Sequence, residues 1–83
     1  MKFSDKHKKI LYLLSLHGAG SVAEISEAFF SMKGRTGKIR GVLKTLERNN
    51  YVSKSIQDKK LIYALDKKGI ARIEYEYSLL RQA

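Results

Sequence analysis

From Arg35 to Arg48 the chain sets cationic side chains along one side of a helical repeat. Arg40, Lys44 and Arg48 fall with Gly37 and Gly41 opposite the apolar stripe Ile39, Val42, Leu43 and Leu46, while Arg35, Thr36 and Lys38 occupy the first turns. Guanidinium and ammonium groups on such a face can donate to phosphate oxygens or to guanine O6 and N7. The major groove of a duplex is wide enough to admit the helix that carries them. Glycine inside a helix costs about 1 kcal/mol relative to alanine. Gly37 and Gly41, one turn apart on the exposed side, therefore point to close backbone approach by something outside the protein. A helix that begins near Lys38 would instead leave Gly37 in the preceding turn.

The charge is concentrated around these residues. Residues 33–60 hold nine of the seventeen lysines and arginines and two of the eight acidic residues, a net of +7 out of +9 for the whole chain. A focused cationic segment implies a polyanionic partner. Lys54, Lys59 and Lys60 extend it beyond the helix and suit phosphate contacts, although lysines in such a place also serve solubility. Lys2, Lys6, Lys8 and Lys9 crowd the start of the chain, where a helix dipole disfavours cations. They either reach flanking phosphates or are simply solvated.

Other chemistry is poorly supported. With no cysteine there are no disulfides, thiolate metal sites or cysteine nucleophiles. His7 and His17 are the two histidines, and neither has an acid and a nucleophile at a recognisable spacing. Residues 34–38 fall short of the full phosphate-binding GxxxxGK[ST] loop. These features predict a protein that is not an enzyme and has no metal or cofactor. No apolar run approaches the roughly 20 residues of a membrane span, and the N-terminus has no signal-peptide pattern, so a cytoplasmic location is expected.

The elements that must position the basic helix follow from periodicity. Ser4 or Asp5 can cap a first helix to about His17, with Ile10, Leu11, Leu13, Leu14 and His17 on one side and Gly18 free to end it in a left-handed conformation. Ser21 and Glu24 have capping-box spacing, opening a second helix to about Phe30 that buries Val22, Ile25, Ala28 and Phe29. Residues 31–34 turn the chain. The third helix runs from about Arg35 or Thr36 to Asn49, and Asn50 takes the left-handed position after it. The period then changes to two. Val52, Lys54 and Ile56, then Leu61, Tyr63 and Leu65, alternate about Gln57-Asp58-Lys59-Lys60, as in a β-hairpin with a basic tip. Asp66 caps a fourth helix.

The predicted fold is mainly α with a small β-hairpin, in the order α-α-α-β-β-α, as one domain over residues 1–83. A domain this small buries only about 60% of its unfolded surface, so subunit association is a natural supplement. Residues 66–83 offer it. Ile70, Ile73, Tyr77 and Leu80 are spaced three, four and three, as in the seam of a coiled coil. The same stripe could pack on the first helix of its own chain.

Two segments resemble a known group. Val22-Ala23-Glu24-Ile25-Ser26-Glu27-Ala28-Phe29 and Ile39-Arg40-Gly41-Val42-Leu43-Lys44-Thr45-Leu46-Glu47-Arg48-Asn49-Asn50-Tyr51-Val52 look like the helix-turn-helix of winged-helix transcriptional regulators. Tyr63-Ala64-Leu65-Asp66-Lys67-Lys68-Gly69 resembles the wing exit of the MarR and PadR families, usually tyrosine-x-leucine-threonine-x-x-glycine. The likeness covers about residues 4–74 and suits the compact regulators of archaea and of their viruses and plasmids. It implies a homodimer on double-stranded DNA, with the third helix in the major groove and the wing near the backbone or minor groove. By position, groove contacts would fall on Thr36, Lys38, Arg40, Gly41 and Lys44. Two departures matter: Asp66 stands in place of the threonine, and the wing holds Lys59 and Lys60 rather than the common arginine.

Two other readings compete. Gly34-Arg35-Thr36-Gly37 is a basic GxxG, as in RNA-binding KH domains, but that fold needs a strand near residues 10–14. A winged helix that binds only protein would leave the +7 segment unexplained.

Overall fold

The structure, a computed structural model, describes residues 3–30 and 37–82. Four helices and three short strands follow one another as α1 (Asp5–His17), β1 (Ala19–Ser21), α2 (Val22–Phe30), α3 (Gly37–Arg48), β2 (Val52–Gln57), β3 (Lys60–Leu65) and α4 (Lys67–Gln82). The strands form one antiparallel sheet in the order β1-β3-β2. This is the expected winged helix-turn-helix arrangement with one addition. The glycine-flanked stretch after α1 is a strand, Ala19 opposite Ala64 and Ser21 opposite Ile62. Three residues are too few to show a period in sequence. With a helix at residues 10–14, the strand required by a KH fold is replaced, and that reading falls.

Local sequence explains the helix ends. Ser4 caps α1 through a capping box whose third-position partner is a histidine: the Ser4 N–H donates to His7 Nδ1 at 3.1 Å, and the His7 N–H donates to Ser4 Oγ at 3.5 Å. Gly18 ends the helix at φ 82°. At α2 the Ser21 N–H donates to Glu24 Oε1 at 3.1 Å and the Glu24 N–H to Ser21 Oγ at 3.2 Å, the reciprocal pair read from the sequence. Asn50 is left-handed, at φ 66°. Around it the Tyr51 N–H donates to the Leu46 carbonyl at 2.9 Å and the Asn50 N–H to the Glu47 carbonyl at 3.0 Å, the two bonds of a Schellman motif.

The core is formed by Ile10, Leu11 and Leu14 of α1, Ile25 of α2, Ile39, Leu43 and Leu46 of α3, Val52 and Tyr63 of the hairpin, and Ile73 of α4. Three expectations need correction. His17 is exposed, because α1 ends there and the chain leaves through Gly18. Ala28 is exposed, and Ser26 is buried in its stead. Ser26 lies one residue after Ile25 and four after Val22, so it completes the inward stripe that its polarity disguised. Ile73 is only 6% exposed and belongs to the core of its own chain. Phe29 lies with its side chain outside the described part.

The α4 start docks tightly on the hairpin entrance. The Asp66 N–H donates to the Tyr51 carbonyl at 3.0 Å, and the Asp66 carbonyl accepts from Ile70 N–H at 2.9 Å, which opens the helix. Gly69 is buried against the same strand. A Cβ there would collide with the Tyr51 carbonyl oxygen and stand 3.0 Å from Leu65 Cδ2, so the backbone admits glycine alone. Substituting Gly69→Ala should lower unfolding stability by roughly 1–3 kcal/mol through overpacking, as read by chemical denaturation. A wild-type midpoint would refute this reason for the glycine.

His7 provides a pH signature. Burial lowers its pKa from the ordinary 6.5, and the cap uses Nδ1 as an acceptor, which requires neutral imidazole. The stability from this cap is therefore present above pH 6.5 and is lost as pH falls through the depressed folded-state value. His7→Gln, which preserves an acceptor at that position, should flatten that part of the stability profile measured by thermal unfolding. An unchanged slope would remove His7 as its source.

Candidate nucleic-acid interface

The apolar side of α3 fixes which side chains remain outside. Ile39, Leu43 and Leu46 are buried and Val42 is half-buried, so at 100° per residue Arg40, Gly41, Lys44 and Arg48 lie on the opposite arc, with Gly37 at its start. All five are exposed. Lys38 flanks the arc on one side and Glu47 on the other. Arg40, Lys44, Arg48 and Lys38 make no ion pair among the described residues. The helix thus presents its cations unneutralised. Arg35 and Thr36, expected in the same surface, lie outside the described residues, as does the GxxG stretch before Gly37.

The glycine question divides. Gly37 is the first residue of α3, where the interior penalty does not apply in full. Gly41 is interior, at ordinary negative φ, and a Cβ there would meet nothing within 4 Å. Nothing among the described residues requires glycine at position 41. The bare helix surface is completed by Thr45, whose hydroxyl donates back to the Gly41 carbonyl at 3.1 Å.

The wing cations are placed less simply. Lys54 lies on β2, exposed, but its ammonium is 3.4 Å from Glu47 Oε2 of α3. That pair partly neutralises Lys54 and links the wing to the helix end. Lys60 begins β3, opposite Gln57. It lies near enough to Glu24 to contribute to that group's lowered pKa. The main causes there are the backbone and side-chain hydrogen bonds from Ser21, with Lys60 adding a smaller pull in the same direction. Lys59 stands at the apex. The turn is tighter than the four-residue tip expected from sequence: Asp58 and Lys59 alone make it, at φ 50° and 65°. Both central residues at positive φ match the twist of a hairpin, a role usually filled by Asn-Gly or Asp-Gly.

The α4 residues separate into two groups. Ile70, Tyr77 and Leu80 are exposed while Ile73 is covered by the rest of the chain. Tyr77 packs edge-on against Tyr12 of α1, with ring centroids 5.7 Å apart. Ile70 and Tyr77 border a mainly apolar groove with Leu14, Gly18 and Leu65. Residues 78–82 are exposed on every side. Among the described residues no cluster of three or more His, Asp or Glu side chains could hold a metal ion, and no helix is long and apolar enough to cross a membrane.

Solved structures share this arrangement of helices and hairpin. The reduced form of the transcriptional regulator YodB from B. subtilis superposes with a TM-score of 0.78 at 23% identity, over 94% of this chain and 76% of that one. The chain has a winged-helix fold. A probable transcriptional regulator from Pseudomonas aeruginosa gives 0.79 at 19% identity, over 96% of this chain but only 60% of its own length. An ArsR family transcriptional regulator, RHA00566, gives 0.65 at 18% identity, over 95% and 77%. No protein-family model and no curated protein matches the sequence.

Gly41 yields one expectation. Gly41→Ala should raise unfolding stability by up to about 1 kcal/mol, since the site is helical, exposed and open. Denaturant titration checks this, and a loss of stability would mean that the glycine serves the fold.

Proposed function

We propose that the protein is a transcriptional regulator that binds double-stranded DNA as a homodimer in the cytoplasm, with α3 in the major groove. The observation that carries this reading is the outer arc of α3, where Arg40, Lys44 and Arg48 stand unpaired around an interior glycine that the fold does not need. The solved structures of similar fold are transcriptional regulators by description, which supports the same class. Arg40 and Lys38 would read base edges, and Gly41 would let the helix backbone approach the groove wall. Lys44, Lys59 and Lys60 would set register on phosphates, joined by Arg35 and Thr36. Lys54 contributes in part, since Glu47 shares its charge.

Dimerisation through α4 fits the exposed apolar residues there. Ile70, Tyr77 and Leu80 are 48%, 39% and 65% exposed, and they continue outward from Ile73 along one side of the helix. A second α4 across a two-fold axis would cover them and the adjoining groove. Two α3 helices would then meet major-groove faces about 34 Å apart.

Affinity for a mixed-sequence duplex at two salt concentrations tests the reading. Steep weakening with salt is expected, from release of condensed counterions; salt-independent or absent binding would favour the protein-only winged helix. On a site selected from random duplexes, Arg40→Ala should cost roughly 1–3 kcal/mol and relax the base preference. An unchanged preference would remove Arg40 from base reading. Tyr77→Glu with Leu80→Glu should give folded monomers in sedimentation, because neither side chain is in the buried core. An intact dimer would move the interface elsewhere.

A further inference from the structure

The hairpin face that closes the core does not stop where the core stops. Val52, Lys54 and Ile56 alternate on that face with Leu61, Tyr63 and Leu65 across from them, each directly paired: Val52 with Leu65, Lys54 with Tyr63, Ile56 with Leu61. Val52 and Tyr63 are buried. One step further out Ile56 is 77% exposed and Leu61 40%, and neither belongs to the core cluster. The opposite face carries Ser55 paired with Ile62, which is half-buried beside Ser21 of β1, and then Gln57 paired with Lys60, so that face ends in a polar pair at the tip. The core does not account for the pair, and a hairpin needing only solubility would carry polar residues there.

The surroundings identify the class of surface that would cover it. Lys54, paired with Glu47, shares the face, Lys59 stands at the apex and Lys60 follows on the other face, so lysines border the apolar pair. A partner that satisfies both must be a polyanion with apolar surface between its charges. A DNA groove has this chemistry, with phosphates along its edges and sugar and base faces between them. The turn adds a geometric argument. With two residues rather than four the tip is narrow, and it keeps lysine at φ 65° where glycine would adopt the conformation more readily. That choice retains a cation at the leading point of a thin blade.

We propose that Ile56 and Leu61 form an apolar wedge that the wing seats in the DNA groove flanking α3, bending the duplex. Site selection then depends partly on how readily the base step under the wing deforms. The proposal rests on the DNA-binding reading above and adds a mechanism to it. The minor groove, about 6 Å wide, is too narrow for two branched side chains unless it opens. Apolar residues that enter it part adjacent base pairs and kink the axis by roughly 20–90°. Pyrimidine–purine steps yield most easily, so they are expected beneath the wing.

The test uses duplexes of about 30 base pairs recovered by wild-type protein from a random-sequence pool and labelled at both ends with a fluorescence donor and acceptor. Saturating wild-type protein should raise energy transfer above that of free DNA. The variant Ile56→Ser with Leu61→Thr should leave transfer at the free-DNA level, bind about tenfold more weakly, keep the wild-type salt slope, and lose preference at the wing-proximal step. Ile56→Thr alone, a strand-compatible change at the more exposed position, should give an intermediate bend and guards against a folding defect in the pair. Wild-type binding without a bend, or an equal bend by the double variant, overturns the wedge while DNA binding stands. Loss of dimerisation in the double variant, or loss of binding to anionic phospholipid vesicles with DNA bending intact, overturns it in favour of another partner. Failure of wild-type protein to bind any duplex removes the underlying reading as well.

Discussion

The backbone of Tyr51 is the point on which the arrangement of helix and wing depends. Its N–H closes the end of α3 on the Leu46 carbonyl, and its own carbonyl receives the Asp66 N–H where the hairpin returns. A third element meets the same carbonyl, because α4 approaches closely enough for Gly69 to be the only residue that fits. The ring then collects the chain's start: Phe3 packs edge-on at 4.7 Å between centroids, and Lys68 lies 5.8 Å over the face. One residue therefore ties the end of the candidate recognition helix to both feet of the wing and the first turn of α4. Without it the hairpin would have two hinges, at Asn50 and at Asp66, and its angle to α3 would be unspecified.

That constraint explains why an isolated feature of the sequence, glycine three residues after Asp66, marks the fold. The fold was legible there because steric exclusion by a carbonyl leaves a single residue type. The α3 face was legible for a similar reason: burial of Ile39, Leu43 and Leu46 leaves one possible outward arc. Asn50 and the Ser21–Glu24 pair were readable because their bonds span three to five residues and need nothing from the rest of the chain. What escaped sequence reading lacked such local causes. Strand β1 exists through its pairing with β3, more than forty residues away, and Ser26 is buried by helix phase rather than by polarity. Ile73 illustrates a further ambiguity. Its spacing with Ile70 and Tyr77 fits a seam between subunits and a stripe on the subunit's own core equally well, and only the position of α1 decides between them.

The acidic residues complete the electrostatic argument. A chain with seventeen cations and eight anions could have neutralised any face it chose. Instead Glu24 closes the α2 cap, Asp66 begins α4 with its carboxylate on the Lys67 N–H at 2.8 Å, and Glu76 holds Arg72 at 2.9 Å with Lys8 more distant at 4.0 Å. Asp58 forms the wing turn, where its tolerance of positive φ is useful. Glu47 is the only acid within α3, and it sits at the edge of the cationic arc facing Lys54 rather than within it. These five anions serve caps, a turn, an ion-pair cluster on α4 and one wing brace, leaving the outer arc of α3 positive. Such a distribution raises the energy of the isolated molecule slightly through like-charge repulsion, which water and salt screen. Approach of a polyanion removes that repulsion and supplies the missing counter-charges together. The same brace joins the wing to the helix: Lys54, on the hairpin face that carries Ile56 and Leu61, stands 3.4 Å from Glu47 of α3. Charge and apolar surface at the tip are therefore presented alongside the helix to whatever the helix meets.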